Sequence, residues 1–261
     1  NFTKENFMNQ TLTIVFGFLL PCLMTTLGAS LIFFFNKSSK VLNIITIGLA
    51  AGIMMSASIW SLLLPSLENA EITWGNLAAL PVVLGFTLGV VFMVLLDLLC
   101  AKFFKKTGEN DKNKAFKLFT AITIHNIPEG LSVGFAVGTA IATQSAYVSA
   151  FMFALGISLQ NFPEGLATAL PMYSCLGSRK KAFGLGVLSG LVEPIFACIG
   201  FFLAASLSSL LPWLLAFSAG AMIYVIIEEL LPEIHSQGKC AWGTIPFVIG
   251  FIIMMMLDIC L

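Results

Sequence analysis

Long apolar runs, separated by short polar stretches, make up most of this chain. Eight can be marked, at roughly 11–35, 41–64, 76–100, 117–138, 146–170, 182–206, 211–232 and 241–261. Each comes close to the roughly 20 residues that carry a helix across a bilayer. Lipid offers no partner to a free backbone N–H or C=O, so a spanning segment must close its hydrogen bonds within itself. The pattern therefore predicts an all-α integral membrane protein with eight transmembrane helices. The chain opens on Asn1 rather than a methionine, so a segment is expected to have been trimmed. The first run is long enough to span, so it is expected to be a helix of the protein rather than a signal peptide.

Composition supports the same reading. Hydrophobic residues make up 58% of the chain and charged residues 10%, where a soluble domain carries roughly 25% charged residues. With a mean hydropathy of +0.98, the chain cannot hide its apolar surface by folding on itself. The lipid bilayer is its expected solvent. The net charge of zero says nothing about partners, and no nucleic-acid partner is expected. Six cysteines (Cys22, Cys100, Cys175, Cys198, Cys240 and Cys260) show no CxxC pairing and read as small core residues.

The placement of charge orients the chain. Lys37 and Lys40 follow the first run, and Lys102, Lys105, Lys106, Lys112, Lys114 and Lys117 follow the third. Arg179, Lys180 and Lys181 follow the fifth, and Lys239 follows the seventh. Of 13 basic residues only Lys4 falls on the opposite side, which also holds Glu68 and Glu71. The excess of Lys and Arg marks the cytoplasmic face, so both termini are expected to be extracellular. The connection at about 101–116, with Gly108, Glu109, Asn110 and Asp111, is the only long polar one. It is expected to be a mobile cytoplasmic loop. Nothing else divides the chain, so residues 1–261 are expected to form a single transmembrane domain.

Polar residues inside spans are costly and usually functional, and here they cluster. The fourth run contains His125-Asn126-Ile127-Pro128-Glu129-Gly130, and the fifth contains Gln160-Asn161-Phe162-Pro163-Glu164-Gly165. The two hexapeptides match at four of six positions, near the middle of adjacent, antiparallel spans. His125 and Glu129 are four residues apart and share a helical face, as do Gln160 and Glu164. Asn126 and Asn161 are rotated from those faces by about 100° and can reach a neighbouring position. Each proline lacks an N–H, which predicts freed carbonyls at Ile124 and Leu159, a recurring ion-binding device in broken membrane helices. Gly130 and Gly165 allow close helix approach. The sixth run adds a third intramembrane carboxylate, Glu193, beside Pro194. Imidazole, carboxylate and amide oxygen together suit zinc, and also iron, manganese or cadmium.

The paired motifs resemble those of the ZIP family of divalent metal transporters, and the Gln that begins the second motif resembles the GufA-like branch. The resemblance implies a 3+2+3 arrangement in which the first and last three helices form inverted repeats. It implies zinc as the transported substrate, with Cd2+, Fe2+ and Mn2+ as alternatives, and a binuclear site. His125, Glu129, Gln160 and Glu164 match the transport site, joined by a methionine of the second span. Met54 fits that place best, with Met55 as the alternative. Asn126, Glu129, Asn161, Glu164 and Glu193 match the second site. It further implies a homodimer and an elevator motion of spans one, four, five and six against a dimerising scaffold. The cell membrane is the expected location, an organelle membrane the alternative. The chain departs from the family at three points. Asn161 stands where some relatives carry aspartate, which lowers the charge of the second site. The third connection has no histidine. The fifth span lacks the HExPHE pattern of the large animal subgroup.

Two competing classes were weighed. An intramembrane metalloenzyme would need an open water position and a general base, and the chain has no HExxH, so no enzyme is expected. A metal-sensing receptor would bind without flux, with 101–116 as its output. Beyond the motifs, Glu229 and His235 end the seventh run at the cytoplasmic mouth. The resemblance implies an exit path there with the two as weak hand-over ligands; read from the residues alone they are solvated interfacial charge. Asp97 and Asp258 lie near span ends, where they can snorkel or pair with lysines.

Overall fold

A chain with this little polar surface can bury its backbone only in helices, and helices are what the computed structural model contains. It describes residues 2–35, 40–104, 111–144, 147–204, 208–235 and 240–260, with no strand among them. The elements are α1 (Phe2–Ser30), α2 (Lys40–Ala57), α3 (Leu64–Trp74), α4 (Ala79–Phe104), α5 (Asp111–Ala142) and α6 (Tyr147–Leu176). They continue with α7 (Arg179–Gly190), α8 (Val192–Ala204), α9 (Leu211–Val225), α10 (Leu231–His235) and α11 (Cys240–Cys260).

Six helical runs are long and apolar enough to cross a membrane: Thr11–Phe34, Lys40–Leu77, Ala79–Leu99, Arg179–Ala204, Leu211–His235 and Trp242–Cys260. The six do not include α5 and α6, the helices that carry the polar motifs. These have 32 and 30 residues, about 48 and 45 Å at 1.5 Å per residue.

Helix ends differ from the apolar runs at the long connection. α4 continues to Phe104 and α5 begins at Asp111, so helix takes up both flanks of the polar stretch expected over 101–116. Its centre, residues 105–110, lies outside the described residues, as do Lys37 and Lys239.

The irregular turns also fall elsewhere than expected. α5 and α6 run unbroken through Pro128 and Pro163. Breaks occur at two wide π turns, Ser58–Leu63 and Ile226–Leu230, and at Leu191 between α7 and α8. Each break precedes a proline. Pro65 and Pro232 each follow a π turn, and both sit in the same tripeptide, Leu63-Leu64-Pro65 and Leu230-Leu231-Pro232. Pro194 cannot donate to the Gly190 carbonyl where α7 stops. Such a missing donor opens a helix unless packing holds it shut.

Close contacts are made by glycines. A Cβ added to Gly28 or Gly165 would overlap the facing backbone between α1 and α6, at Phe162 and Thr25. Gly130, Gly134 and Gly200 do the same between α5 and α8. Gly48, Gly52 and Gly250 seat α2 against α11, and Gly89 and Gly220 seat α4 against α9. Burial of small residues is how helices associate in lipid, where the hydrophobic effect no longer drives them together. Among the described residues these glycine contacts pair α1 with α6, α5 with α8, α2 with α11 and α4 with α9. None of them joins the backbone of α5 or α6 to that of α2, α4 or α9, the helices that face them. Side chains fill the seam, with Met54, Leu62, Ile122, Ile157, Met222 and Val225 in one buried cluster. Polar links cross it too: Ser218 donates to the Pro128 carbonyl at 2.7 Å and lies 2.8 Å from Ser132 Oγ.

The outer surface is apolar, as a lipid solvent requires. Leu80, Val83, Leu88, Leu95 and Leu98 of α4, and Ile245, Ile249 and Ile252 of α11, are exposed. Of the cysteines, Cys22 is buried, whereas Cys198 and Cys260 face outward rather than into the core.

Candidate metal centre

His125, Asn126 and Glu129 on α5, Gln160, Asn161 and Glu164 on α6, and Glu193 in the first turn of α8 are all 0–2% exposed. A carboxylate buried this completely is expensive unless it is paired or binds a cation, and three of them are gathered here. The arrangement splits into two layers.

In the first layer, His125 Nε2 lies 3.6 Å from Glu129 Oε1 and 3.5 Å from Glu164 Oε2. Donor atoms of the three residues all fall within 4.8 Å of one another. Two donors each about 2.1 Å from a tetrahedral zinc stand about 3.4 Å apart, so the imidazole and the two carboxylates already have the spacing of ligands around one ion. The Gln160 amide donates to Glu129 Oε1 at 2.6 Å. Glu129 Oε2, Gln160 Oε1 and Glu164 Oε1 have no hydrogen-bond partner among the described residues. Met54 is buried in the same apolar cluster as Ile122 and Ile157, one turn from His125 and Gln160 respectively.

In the second layer Glu193 is already satisfied. Its Oε1 accepts from Thr25 Oγ1 at 3.1 Å and from Asn126 Nδ2 at 3.3 Å, and its Oε2 accepts from Asn161 Nδ2 at 2.7 Å. Asn126 Nδ2 also reaches the Ser189 carbonyl at 3.1 Å. Glu193 thus ties α1, α5 and α6 to α8. Thr25 and Ser189 were missed in the sequence reading. Their only signal is a hydroxyl within an apolar run, which in a helix more often bonds its own backbone.

The remaining candidates are scattered. Asp97 and Glu229 meet on Lys117, at 3.5 and 2.9 Å. Asp258 pairs not with a lysine but with Ser61 Oγ, at 2.6 Å. His235 is exposed and its Nδ1 lies 2.7 Å from the Leu231 carbonyl.

Space around the site is unequal. Towards the end where α5 stops and α6 starts, a cavity of about 530 Å3 runs along the motif faces of both helices. It reaches Ala136, two turns from Glu129, and Gly156, one turn from Gln160, with Ser61, Glu68 and Asp258 in its wall. Towards the other end lies a crevice of about 20 Å3, between Asp97, Lys117, Ala121, Tyr224 and Glu229.

Fold and site together define a helical membrane protein that buries a cluster of one imidazole and two carboxylates. The profile of the ZIP family, described as ZIP Zinc transporter, matches residues 111–258. The chain is 32% identical to human "Zinc transporter ZIP11", covering 90% of this chain and 93% of that protein. It is 36% identical to "Zinc transporter GufA" of Myxococcus xanthus, over 93% and 96%. It is 33% identical to "Zinc transporter ZIPB" of Bordetella bronchiseptica, over 90% and 76%. The chain belongs to the ZIP family, whose members are transporters and not enzymes, and the similarity to GufA supports the GufA-like branch.

Proposed function

We propose that this protein carries divalent transition-metal cations, zinc first among them, across a membrane towards the cytoplasm. One observation carries the reading: the enclosed His125–Glu129–Glu164 cluster, whose donors stand at ligand spacing with carboxylate oxygens left unpartnered. A cation satisfies these buried groups at once. Gln160 joins as a fourth ligand when its amide turns to present Oε1, and Met54 lies close enough in the packing to line the route. The names of the relatives support zinc, and the same donors accept Cd2+, Fe2+ and Mn2+.

Adding α5 and α6 to the six apolar runs makes eight spans in a 3+2+3 order, with both termini outside. The repeated Leu-Leu-Pro after the π turns of the second and seventh spans supports the inverted repeat. The side-chain seam between α5 and α6 and the helices that face them supports an elevator, in which α1 and α5–α8 slide along that seam. The apolar outer faces of α4 and α11 suit a homodimer built on the remaining helices. The large cavity on the C-terminal side makes this an outward-accessible state. A cell membrane fits this orientation.

The test is zinc uptake into sealed proteoliposomes, read by an internal fluorescent chelator. Saturable, competable uptake is expected. Binding without flux would instead make the protein a receptor.

Asn126, Asn161 and Glu193 form a second, weaker cation position, because an ion there must displace three hydrogen bonds. Asn161→Asp removes one of those donors and places a carboxylate against Glu193. Zinc measured by mass spectrometry is expected to rise from one tightly held ion per wild-type chain to two in the variant. The metal-free variant is expected to unfold at lower temperature than wild type, since like charges then face each other in a buried site. An unchanged stoichiometry would remove the second position.

A further inference from the structure

Lys117 stands two turns before His125 on the same face of α5, since 117, 121 and 125 are successive steps of four. Its ammonium lies 2.9 Å from Glu229 Oε1 and 3.5 Å from Asp97 Oδ1. The three residues sit on three different helical segments. Lys117 is on α5, whereas Asp97 is on α4 and Glu229 lies in the π turn between α9 and α10. The Glu229 side chain is only 11% exposed, so its pairing is less screened than one on an open surface. These pairs sit in the narrow crevice at the end of the bundle opposite the large cavity. At about 20 Å3 the crevice has room for about one water.

Two consequences follow from this geometry. Any sliding of α5 along α4 and α9 must break both ion pairs. A dication leaving the His125 cluster along this face of α5 passes Ala121 and then meets two carboxylates already neutralised by an ammonium. Two cations cannot share that crevice without strong repulsion.

We propose that Lys117 is a tethered cation that latches α5 to α4 and to the α9–α10 turn in this state and closes the inner side of the path. Release of cargo requires the latch to open. The assignment to inward release rests on the transport reading; the latch itself does not.

The experiment uses the full chain with Ala121→Cys as a reporter at the crevice. Inside-out vesicles are treated, without added metal, with a membrane-impermeant maleimide, and labelling at residue 121 is quantified by mass spectrometry. With Lys117 intact, labelling is slow. Lys117→Met is expected to raise its rate about three- to tenfold, the population shift that loss of one modest ion pair produces. Asp97→Asn combined with Glu229→Gln breaks the same pairs from α4 and the α9–α10 turn and gives the same rise. Lys117→Arg stays slow, and the exchanged pair Lys117→Glu with Glu229→Lys returns labelling towards the parent rate, a rescue that simple misfolding does not produce. Equal labelling in the parent, in Lys117→Met and in the Asn/Gln variant overturns the proposal. So does an exchanged pair that stays fast while eluting as a folded protein. Fast labelling in Lys117→Met beside absent zinc flux in the wild type would retain the latch and refute transport instead.

Discussion

Zinc uptake by His125→Ala and by Glu164→Ala is expected to fall at least about 100-fold below wild type at equal expression. Loss of an outer-shell partner alone costs about 10–100-fold in metal affinity, and these variants remove one of the few ligands proposed above. The imidazole lies between both carboxylates, at 3.6 and 3.5 Å, so His125→Ala also removes the group that separates two buried acids. Stability distinguishes a lost ligand from a damaged fold. Glu164 Oε1 is buried without a hydrogen-bond partner among the described residues, and a buried, unpartnered carboxylate destabilises the metal-free protein. Glu164→Ala is therefore expected to unfold no lower than wild type in chelator, while losing the stabilisation that added zinc confers. Normal uptake by both variants would sink the site assignment.

Gly134→Leu is expected to abolish folded protein altogether. A Cβ at Gly134 meets the backbone of Ala197, at its Cα, its carbonyl carbon and its oxygen. Backbone cannot swing aside as a flexible side chain can, so α5 and α8 must part. Overpacking a close contact typically costs 1–3 kcal/mol; forcing two helices apart along their length is expected to exceed about 3 kcal/mol. Separation of α8 from α5 also pulls Glu193 away from Asn126. Gly184 provides the control. It is helical, yet a Cβ there meets nothing within 4 Å, so Gly184→Ala is expected to be neutral or slightly stabilising. Monodisperse yield in detergent and melting temperature read both. Good yield of Gly134→Leu would show that the α5–α8 contact is looser than described.

Much of the site could be read along the chain because its grammar is local. His125 with Glu129, and Gln160 with Glu164, share a face by helical period alone, and a charged residue in an apolar run has few bland explanations. Glu193 stood out for the same reason. Thr25 and Ser189 did not, because a threonine or serine in a membrane helix usually bonds the carbonyl one turn back. Thr25 does so as well, to Pro21 at 3.2 Å, and only tertiary packing adds Glu193. The prolines were half-read. A missing N–H is written in the sequence, but whether the helix opens depends on what braces it. Pro128 and Pro163 sit in helices clamped by glycine contacts on α8 and α1, and those helices stay regular. Pro65, Pro194 and Pro232 follow turns that widen or break.

By itself the sequence determined the solvent, the helical class, the side on which basic residues gather and the donor residues, since each depends on composition or on a period of a few residues. Tertiary structure decided which donors meet. It placed His125, Glu129 and Glu164 around one point, turned Asn126 and Asn161 to bond Glu193, and set Lys117 between Asp97 and Glu229. It also decided where the side-chain seam beside the site lies. The reason is physical: a glycine in a membrane helix marks close approach but not the partner. Only the packed bundle pairs Gly134 with Ala197 and Gly89 with Phe217, and leaves no such contact across the boundary beside the site.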